Sequence, residues 1–367
     1  MADSATNQNS TEDQGSIGSQ DSIDTNQFEQ RKRDHINLSL DPRTQTRHMS
    51  EIDRIDLIHE ALPDINLADV DASIERFGQK CPTPMFVSSM TAGHSDGVSL
   101  NRIMAEVCSE RGWLMGVGSQ RRELSDTSAA NEWKEIRKSA PNVGFIGNLG
   151  VSQLIHTETD DVRRLIDNLQ AKALFIHLNP LQECLQPEGT PQFKGGLAAI
   201  ENLCSKLEIP VIIKKTGCGF SESTLNRLIG LGVFAVDLSG LGGTHWGRIE
   251  GFRSSEEQKL YHVADTFKNW GISTLNSLLA VQSISADYEV WASGGVRSGL
   301  DAAKFIAAGA TMVGLAKPII EAATQGSTAL HQKMEILEYE FTTALFCTGS
   351  SRPQELQEKS KWQVRKI

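Results

Sequence analysis

Short apolar runs alternate with amphipathic stretches along most of this chain. The runs lie at residues 86–89, 114–119, 143–148, 174–179, 211–215, 234–239, 289–293 and 311–315. Most are apolar throughout instead of at every second position, the pattern of parallel strands covered on both faces. Between most of them lie stretches of helical spacing, over residues 100–111, 160–170, 197–207, 221–231 and 299–307, with a further helix at 330–345. Successive runs start 22 to 37 residues apart, apart from a wider interval after residue 239. Eight β-then-α units of this size predict an α/β fold, a (β/α)8 TIM barrel. The alternative, a doubly wound open sheet, would carry a G-x-G-x-x-G turn after an early strand, and the chain has none. The wide interval, residues 240–280, contains Gly242-Gly243-Thr244-His245-Trp246. It is expected as a long loop after the sixth strand, on the face where barrel insertions often act as lids.

Outside the barrel pattern, residues 1–27 are almost wholly polar and are expected as a disordered tail, since they cannot bury enough surface to offset their ordering entropy. Residues 28–350 read as the single barrel domain and 351–367 as a polar C-terminal tail. A net charge of −10 argues against nucleic-acid binding, which needs a basic face. It says little about a phosphorylated small molecule, for which a few local cations suffice. The 6 cysteines are scattered, without a CxxC pair or metal-ligand spacing, and read as reduced thiols. No apolar run reaches the roughly 18 residues of a membrane span, and the N-terminus lacks the charged and apolar regions of a secretory signal. A cytoplasmic protein is expected.

Chemistry gathers where each apolar run ends. The first is followed by Ser88-Ser89-Met90-Thr91-Ala92-Gly93 and the second by Gly118-Ser119-Gln120-Arg121-Arg122. The third ends in Gly147-Asn148-Leu149-Gly150 and the fourth in His177-Leu178-Asn179-Pro180-Leu181-Gln182-Glu183. Then come Lys214-Lys215-Thr216-Gly217, Asp237-Leu238-Ser239-Gly240, Ser293-Gly294-Gly295-Val296-Arg297 and Gly314-Leu315-Ala316-Lys317. Glycine and serine after one strand are ordinary turn residues. Eight such clusters at the C-terminal ends of barrel strands instead mark the face where active sites are built. Ser293-Gly294-Gly295 ahead of a helix, with Gly314 after the next strand, has the form of a barrel phosphate site. Lys214 at a strand tip would be costly to bury without an anion or an electron-rich ring, which points to a cofactor contact. His177 fits equally well an interior histidine satisfied by its neighbours or a ligand contact. Glu183 beside a phosphate site calls for a cation between the two, and one carboxylate plus phosphate oxygens is a common Mg²⁺ site. Arg31-Lys32-Arg33 could be a solvated charge run; Arg121 beside a strand tip is less easily read that way. His48, His59, His156, His262 and His331 have no spacing that suggests a metal site or a triad.

Taken together and in order, Arg31-Lys32-Arg33-Asp34-His35, Ser89-Met90-Thr91-Ala92-Gly93, Val117-Gly118-Ser119-Gln120-Arg121, Gly147-Asn148-Leu149, the His177–Glu183 run, Asp237 to Thr244 and Ala292-Ser293-Gly294-Gly295 resemble the type 2 isopentenyl-diphosphate isomerase family. The match runs from about Arg31 to Ala316, and the runs around Gln182 and Ser119 are its most specific parts. The resemblance implies FMN contacts at Ser89, Met90, Thr91, Ser119, Asn148, Lys214, Ser239, Thr244, Gly294, Gly295, Val296, Arg297, Ala316 and Lys317. It implies substrate contacts at Arg31, Lys32, Ser119, Gln120, Arg121 and Gln182, catalytic roles among Gln182, His177 and Asn179, and Mg²⁺ at Glu183. The chain departs from the family pattern at Ala92, where glycine is frequent, and at Lys215, where glutamate is frequent.

The implied reaction interconverts isopentenyl and dimethylallyl diphosphate with no net redox change. Reduced FMN serves as the acid–base group and NADPH only as the reductant, in a homo-oligomer, a tetramer or octamer. Two alternatives remain at this stage. An FMN-dependent 2-hydroxy-acid oxidase would need a histidine base after the sixth strand, where this chain has Ser239-Gly240-Leu241-Gly242-Gly243, although His245 lies near. A catalytically silent flavin- or phosphate-binding barrel would need neither Gln182-Glu183 nor the basic run.

Overall fold

The structure is a computed structural model that describes residues 25–46, 49–90 and 95–365, apart from the side chains of residues 25–29, 32, 95, 96 and 127. Residues 1–24 of the polar N-terminal stretch, Thr91, Ala92, His48 and the Lys32 side chain therefore lie outside the described residues.

Eight parallel strands close into a barrel. They are β1 Met85–Val87, β2 Leu114–Gly116, β3 Gly144–Gly150, β4 Ala173–Leu178, β5 Val211–Lys215, β6 Ala235–Asp237, β7 Glu289–Ser293 and β8 Met312–Leu315. Each of the apolar runs in the sequence supplies one strand, and β8 pairs with β1 to close the ring. The runs are apolar throughout because both strand faces are buried. Phe86, Leu114, Ile146, Phe175, Ile212, Trp291 and Met312 fill the interior, while Val87, Met115, Phe145, Ile176, Ile213, Val236 and Val313 pack outward under the helices. Phe86, Phe175 and Trp291 meet in the interior with ring centroids 5.1–6.1 Å apart.

The N-terminal end of the barrel carries a hairpin of strands Ile74–Arg76 and Gln79–Cys81. Its two-residue turn, Phe77-Gly78, takes positive φ at both positions, the geometry that keeps a tight hairpin in step with strand twist. The Phe77 ring reaches Phe234 and Trp291 and caps the apolar interior. The barrel helices begin where the sequence offers caps: Ser221, Ser273 and Ser298 each accept a hydrogen bond from a backbone N–H of the first turn.

The stretch after β6 is long, as expected, but much of it is helical. Helices Trp246–Arg253 and Lys259–Thr266 precede the barrel helix Thr274–Gln282. Gly251 explains the pairing of the first two, because a Cβ there would lie 2.6 Å from Ala264. A helix Thr25–Leu40, which takes in residues 25–27 of the expected tail, packs on Trp246–Arg253. The polar C-terminal stretch is tied in as well: strand Trp362–Val364 pairs antiparallel with Ile55–Leu57.

Two stability predictions follow from this interior. Trp291→Ala would leave a large void among Phe86, Phe175 and Phe77 and should cost about 3–5 kcal/mol by denaturant unfolding. Glu123 is 4% exposed, its Oε2 has no hydrogen-bond partner among the described residues, and burial pushes its carboxyl up to about 7. Between the ordinary carboxylate range and about 7 the folded form therefore holds a proton that the unfolded chain has lost, so Glu123 subtracts stability as pH rises through that window. Glu123→Gln should match the parent near pH 4 and exceed it above pH 7 by on the order of 2 kcal/mol. A stability difference that stays flat across this range would refute the assignment.

Candidate active site

Two adjoining cavities open at the C-terminal ends of the strands. The larger, of about 580 Å³, is lined by the ends of β1, β5, β6, β7 and β8. The smaller, of about 100 Å³, lies toward the ends of β2, β3 and β4. His35, Ser89, Met90, Lys214, Thr216 and Trp246 line both, so the two are neighbouring compartments of one mouth.

In the larger cavity the backbone comes unusually close to itself. Gly294 and Gly295 have φ of 91° and 86°, and a Cβ on Gly294 would sit 2.5 Å from the Gly240 carbonyl oxygen. Only glycine fits there, which leaves the backbone after β7 bare for a phosphate, as the sequence motif suggested. Arg297 and Lys317 line the same cavity, Arg297 held by Asp301 at 3.3 Å and Lys317 by Glu321 at 3.0 Å. Ser89 Oγ is buried with no hydrogen-bond partner among the described residues. A glycine cradle, two cations and an unsatisfied hydroxyl fit a phosphorylated ring cofactor in this compartment.

Lys214, 3% exposed, is held at the junction of the two cavities. Its Nζ donates to Asp237 Oδ2 at 2.8 Å and to Ser88 Oγ at 2.6 Å, and it lies 5.1 Å from the centre of the Phe175 ring. Asp237 is fully buried and accepts a second hydrogen bond from Ser293 Oγ at 2.7 Å. The anion that a buried lysine requires is thus Asp237, the residue paired with Lys214 across β5 and β6.

The smaller cavity collects Arg31, Arg121, His177, Gln182 and Glu183. His177 Nδ1 is 3.0 Å from Asn148 Oδ1, which fixes the ring against the end of β3. Glu183 accepts from the Thr190 N–H at 2.6 Å; burial raises its pKa, while Arg121 and Arg31 oppose that rise. Gln182 Oε1 accepts from Asn179 Nδ2 at 2.6 Å, and Gln182 Nε2 donates to Glu250 Oε1 at 2.9 Å. Glu250 is fully buried, lies 3.0 Å from His35 Nε2 and pairs with Arg253 at 2.6 Å. Burial works to raise its pKa, but hydrogen bonding and charge from His35, with Arg253, hold it down to about 2.

Of the residues singled out in the sequence, Ser89, Met90, Lys214, Ser239, Thr244, Gly294, Gly295, Val296, Arg297, Ala316 and Lys317 line the larger cavity. Arg31, Ser119, Arg121, Asn148, His177, Gln182 and Glu183 line the smaller one. Gln120 and Asn179 line neither. Gln120 is 1% exposed and its amide is spent on the Asn148 N–H, the Leu165 carbonyl and Glu123. Asn179 caps the helix Pro180–Leu185 and acts on Gln182 from behind. Sequence reasoning left Asp237, His35, Trp246 and Glu250 out of the site. For Asp237 the signal was available, since Lys214 needs a counter-charge. Among the described residues no three His, Cys, Asp or Glu side chains converge on a metal-sized point.

The comparisons agree with this geometry. The family model described as FMN-dependent dehydrogenase matches residues 180–363. An isopentenyl-diphosphate delta-isomerase of Bdellovibrio bacteriovorus is 56% identical over 91% of this chain and 97% of its own length. One from Legionella pneumophila is 54% identical over 91% and 98%, and one from Nostoc is 40% identical over 93% and 97%. Among solved structures, a flavocytochrome b2 variant with benzoylformate superposes with a TM-score of 0.67 at 19% identity, covering 94% of this chain and 86% of that one. A mandelate oxidase variant with a monooxide FMN adduct gives 0.63 at 16% identity over 93% and 99%. At such identities those two show a shared fold only. With more than half of its residues identical to a curated relative over nearly the whole length of both, the chain belongs to the FMN-dependent, type 2 isopentenyl-diphosphate delta-isomerase family.

Proposed function

We propose that the protein interconverts isopentenyl diphosphate and dimethylallyl diphosphate for isoprenoid biosynthesis, with reduced FMN as its acid–base cofactor. The observation that carries this reading is the two-compartment mouth, in which a cation-lined cavity ending in the Gln182 amide opens onto a cavity with a phosphate cradle. FMN would lie in the larger compartment with its phosphate on Gly294 and Gly295, beside Met90, Ser239, Thr244 and Lys214. When bound and reduced, it supplies the proton donor and acceptor that moving a double bond requires.

The side chains do the rest. Arg31, Arg121 and Lys32 would neutralise the diphosphate, and Glu183 would hold Mg²⁺ jointly with its oxygens, so binding energy remote from the alkene positions the reacting carbons. His177 and Gln182 would border the isoprenoid carbons, with Gln182 clamped by Asn179 and Glu250 so that its amide does not wander. The N-terminal helix, pinned by His35 to Glu250 and Trp246, covers the mouth and limits water there. NADPH would serve to reduce the flavin. We place the protein in the cytoplasm as a homo-oligomer; no helix among the described residues is long and apolar enough to cross a membrane.

The shared fold raises the hydroxy-acid oxidase alternative, and His245 argues against it. This histidine is fully buried, its Nδ1 accepts from the Arg248 N–H, and its Nε2 lies 3.0 Å from the Trp270 carbonyl oxygen. Burial pushes its pKa down to about 4. It lines neither cavity, so no histidine stands at the end of β6 to act as a base.

With FMN, Mg²⁺ and isopentenyl diphosphate under anaerobic conditions, catalytic amounts of NADPH or dithionite should support many turnovers. Consumption of one NADPH per product would mark an oxidoreductase and sink this reading, and no turnover would leave a silent binder. Neighbouring variants should fail differently. Glu183→Gln weakens an interaction present in both ground and transition states, so KM and the Mg²⁺ requirement should rise, with partial recovery at high metal. Gln182→Asn shortens the amide's reach and should lower kcat, by up to about a hundredfold if the shift is about 1 Å. Equal, metal-insensitive losses of kcat in both would contradict these roles.

A further inference from the structure

Lys215 follows Lys214 on β5, so its side chain leaves the strand on the opposite face. It is 8% exposed, and its Nζ makes one hydrogen bond among the described residues, to Asn179 Oδ1 at 3.3 Å. No carboxylate pairs with it there. Burial lowers its pKa, and the titratable groups beside it are the buried Cys218 and His245. A buried amine with so little compensation is costly, and packing alone would be served better by an apolar side chain of the same length.

What Lys215 does provide is direction. An amine, charged or neutral, offers N–H groups to Asn179, whereas the Glu250 carboxylate at the other end of the chain only accepts. Two amides lie between them, and each could be turned end for end. With a donor at one end and an acceptor at the other, a single arrangement satisfies every pair. Asn179 Oδ1 faces Lys215, Asn179 Nδ2 faces Gln182 Oε1, and Gln182 Nε2 faces Glu250. The observed contacts of 3.3, 2.6 and 2.9 Å follow this order. Turning Gln182 over would set its carbonyl oxygen against the carboxylate. Without Lys215 the remaining donor to Asn179 Oδ1 among the described residues is the Gln182 N–H, at a long 3.4 Å.

We propose that Lys215 is a positioning residue: Glu250 fixes the Gln182 end of the Lys215–Asn179–Gln182–Glu250 chain, and Lys215, by holding Asn179 Oδ1, fixes the other end and keeps the Asn179 amide turned to donate to Gln182 Oε1. The inference rests on the isomerase reading, in which Gln182 borders the reacting carbons.

The test uses the FMN-loaded, full-length protein. Lys215→Met keeps the length and removes the donor, and should lower kcat about tenfold, a fraction of the roughly hundredfold loss that about 1 Å of misplacement can cause. KM for isopentenyl diphosphate and FMN retention should change less than about twofold, since neither cradle is touched. The melting temperature should stay level or rise, because an uncompensated buried amine has been replaced by an apolar group. Lys215→Gln, which still presents an N–H, should recover part of kcat. In an Asn179→Ala background Lys215→Met should have no further effect, since its route to Gln182 is already cut. An unchanged kcat in Lys215→Met would overturn the proposal. So would additive losses with Asn179→Ala, or a parallel fall in stability and FMN retention, which would make Lys215 merely structural. A parent protein that fails to isomerise would instead overturn the underlying reading, independently of any variant.

Discussion

Glu250 is a carboxylate with no exposed surface, placed on a helix that the barrel does not need for closure. Left unpaired, such a charge would be driven to protonate. It is instead surrounded by His35 from the N-terminal helix, Arg253 from its own helix and the Gln182 amide from the end of β4. Each of these neighbours satisfies the carboxylate, and by doing so each is itself fixed in place. Arg253 extends the grouping to Glu188 at 3.2 Å, beside the cations of the smaller cavity. Removing one partner of a buried pair commonly costs about 3–5 kcal/mol, because the survivor stays buried and uncompensated. The smaller cavity is therefore assembled around one anion, and its parts come from segments more than two hundred residues apart.

The larger cavity follows a different logic. There the ion pair of Lys214 and Asp237 sits inside the barrel wall, and its hydroxyl neighbours are Ser293 of the adjacent β7 and Ser88, just past β1 across the barrel. Strand geometry alone holds this group, with no help from added helices. The Lys214–Asp237 group is thus set by the barrel wall, whereas the grouping around Glu250 forms only where the N-terminal helix and the helix after β6 dock.

Much of this was legible in the sequence, for identifiable reasons. All eight strands were visible because parallel barrel strands are buried on both faces, and the polar clusters at their ends marked the catalytic face. The helix Trp246–Arg253 was not visible, since Gly247 and Gly251 read as loop residues. In the structure Gly251 permits close approach to Ala264. Gln120 and Asn179 were legible as strand-end polar residues, but sequence position does not say where an amide points. Both turn away from the cavities to satisfy neighbouring groups, and the contribution of Asn179 is indirect. Glu250 gave no local signal at all. Its significance comes from burial, which depends on the docking of two segments distant in sequence.

The likeness to mandelate oxidase and flavocytochrome b2 shows why the fold could not decide the chemistry. The barrel fold is shared at 16% and 19% identity by proteins that carry different names. Two features of this chain bear on the chemistry. After β6, Gly242 and Gly243 pass so close to Ser50 and Gly295 that no side chain fits there. The nearby His245 is drawn inward as a helix cap, with its two nitrogens occupied. Beyond β4, a clamped amide, Gln182, lines the smaller cavity. An amide has no proton to give up near neutral pH, so the protein supplies geometry at that point and leaves proton transfer to another group. Arg31 and Arg121 line the smaller cavity, which gives it the charge to suit an anionic group held apart from the amide.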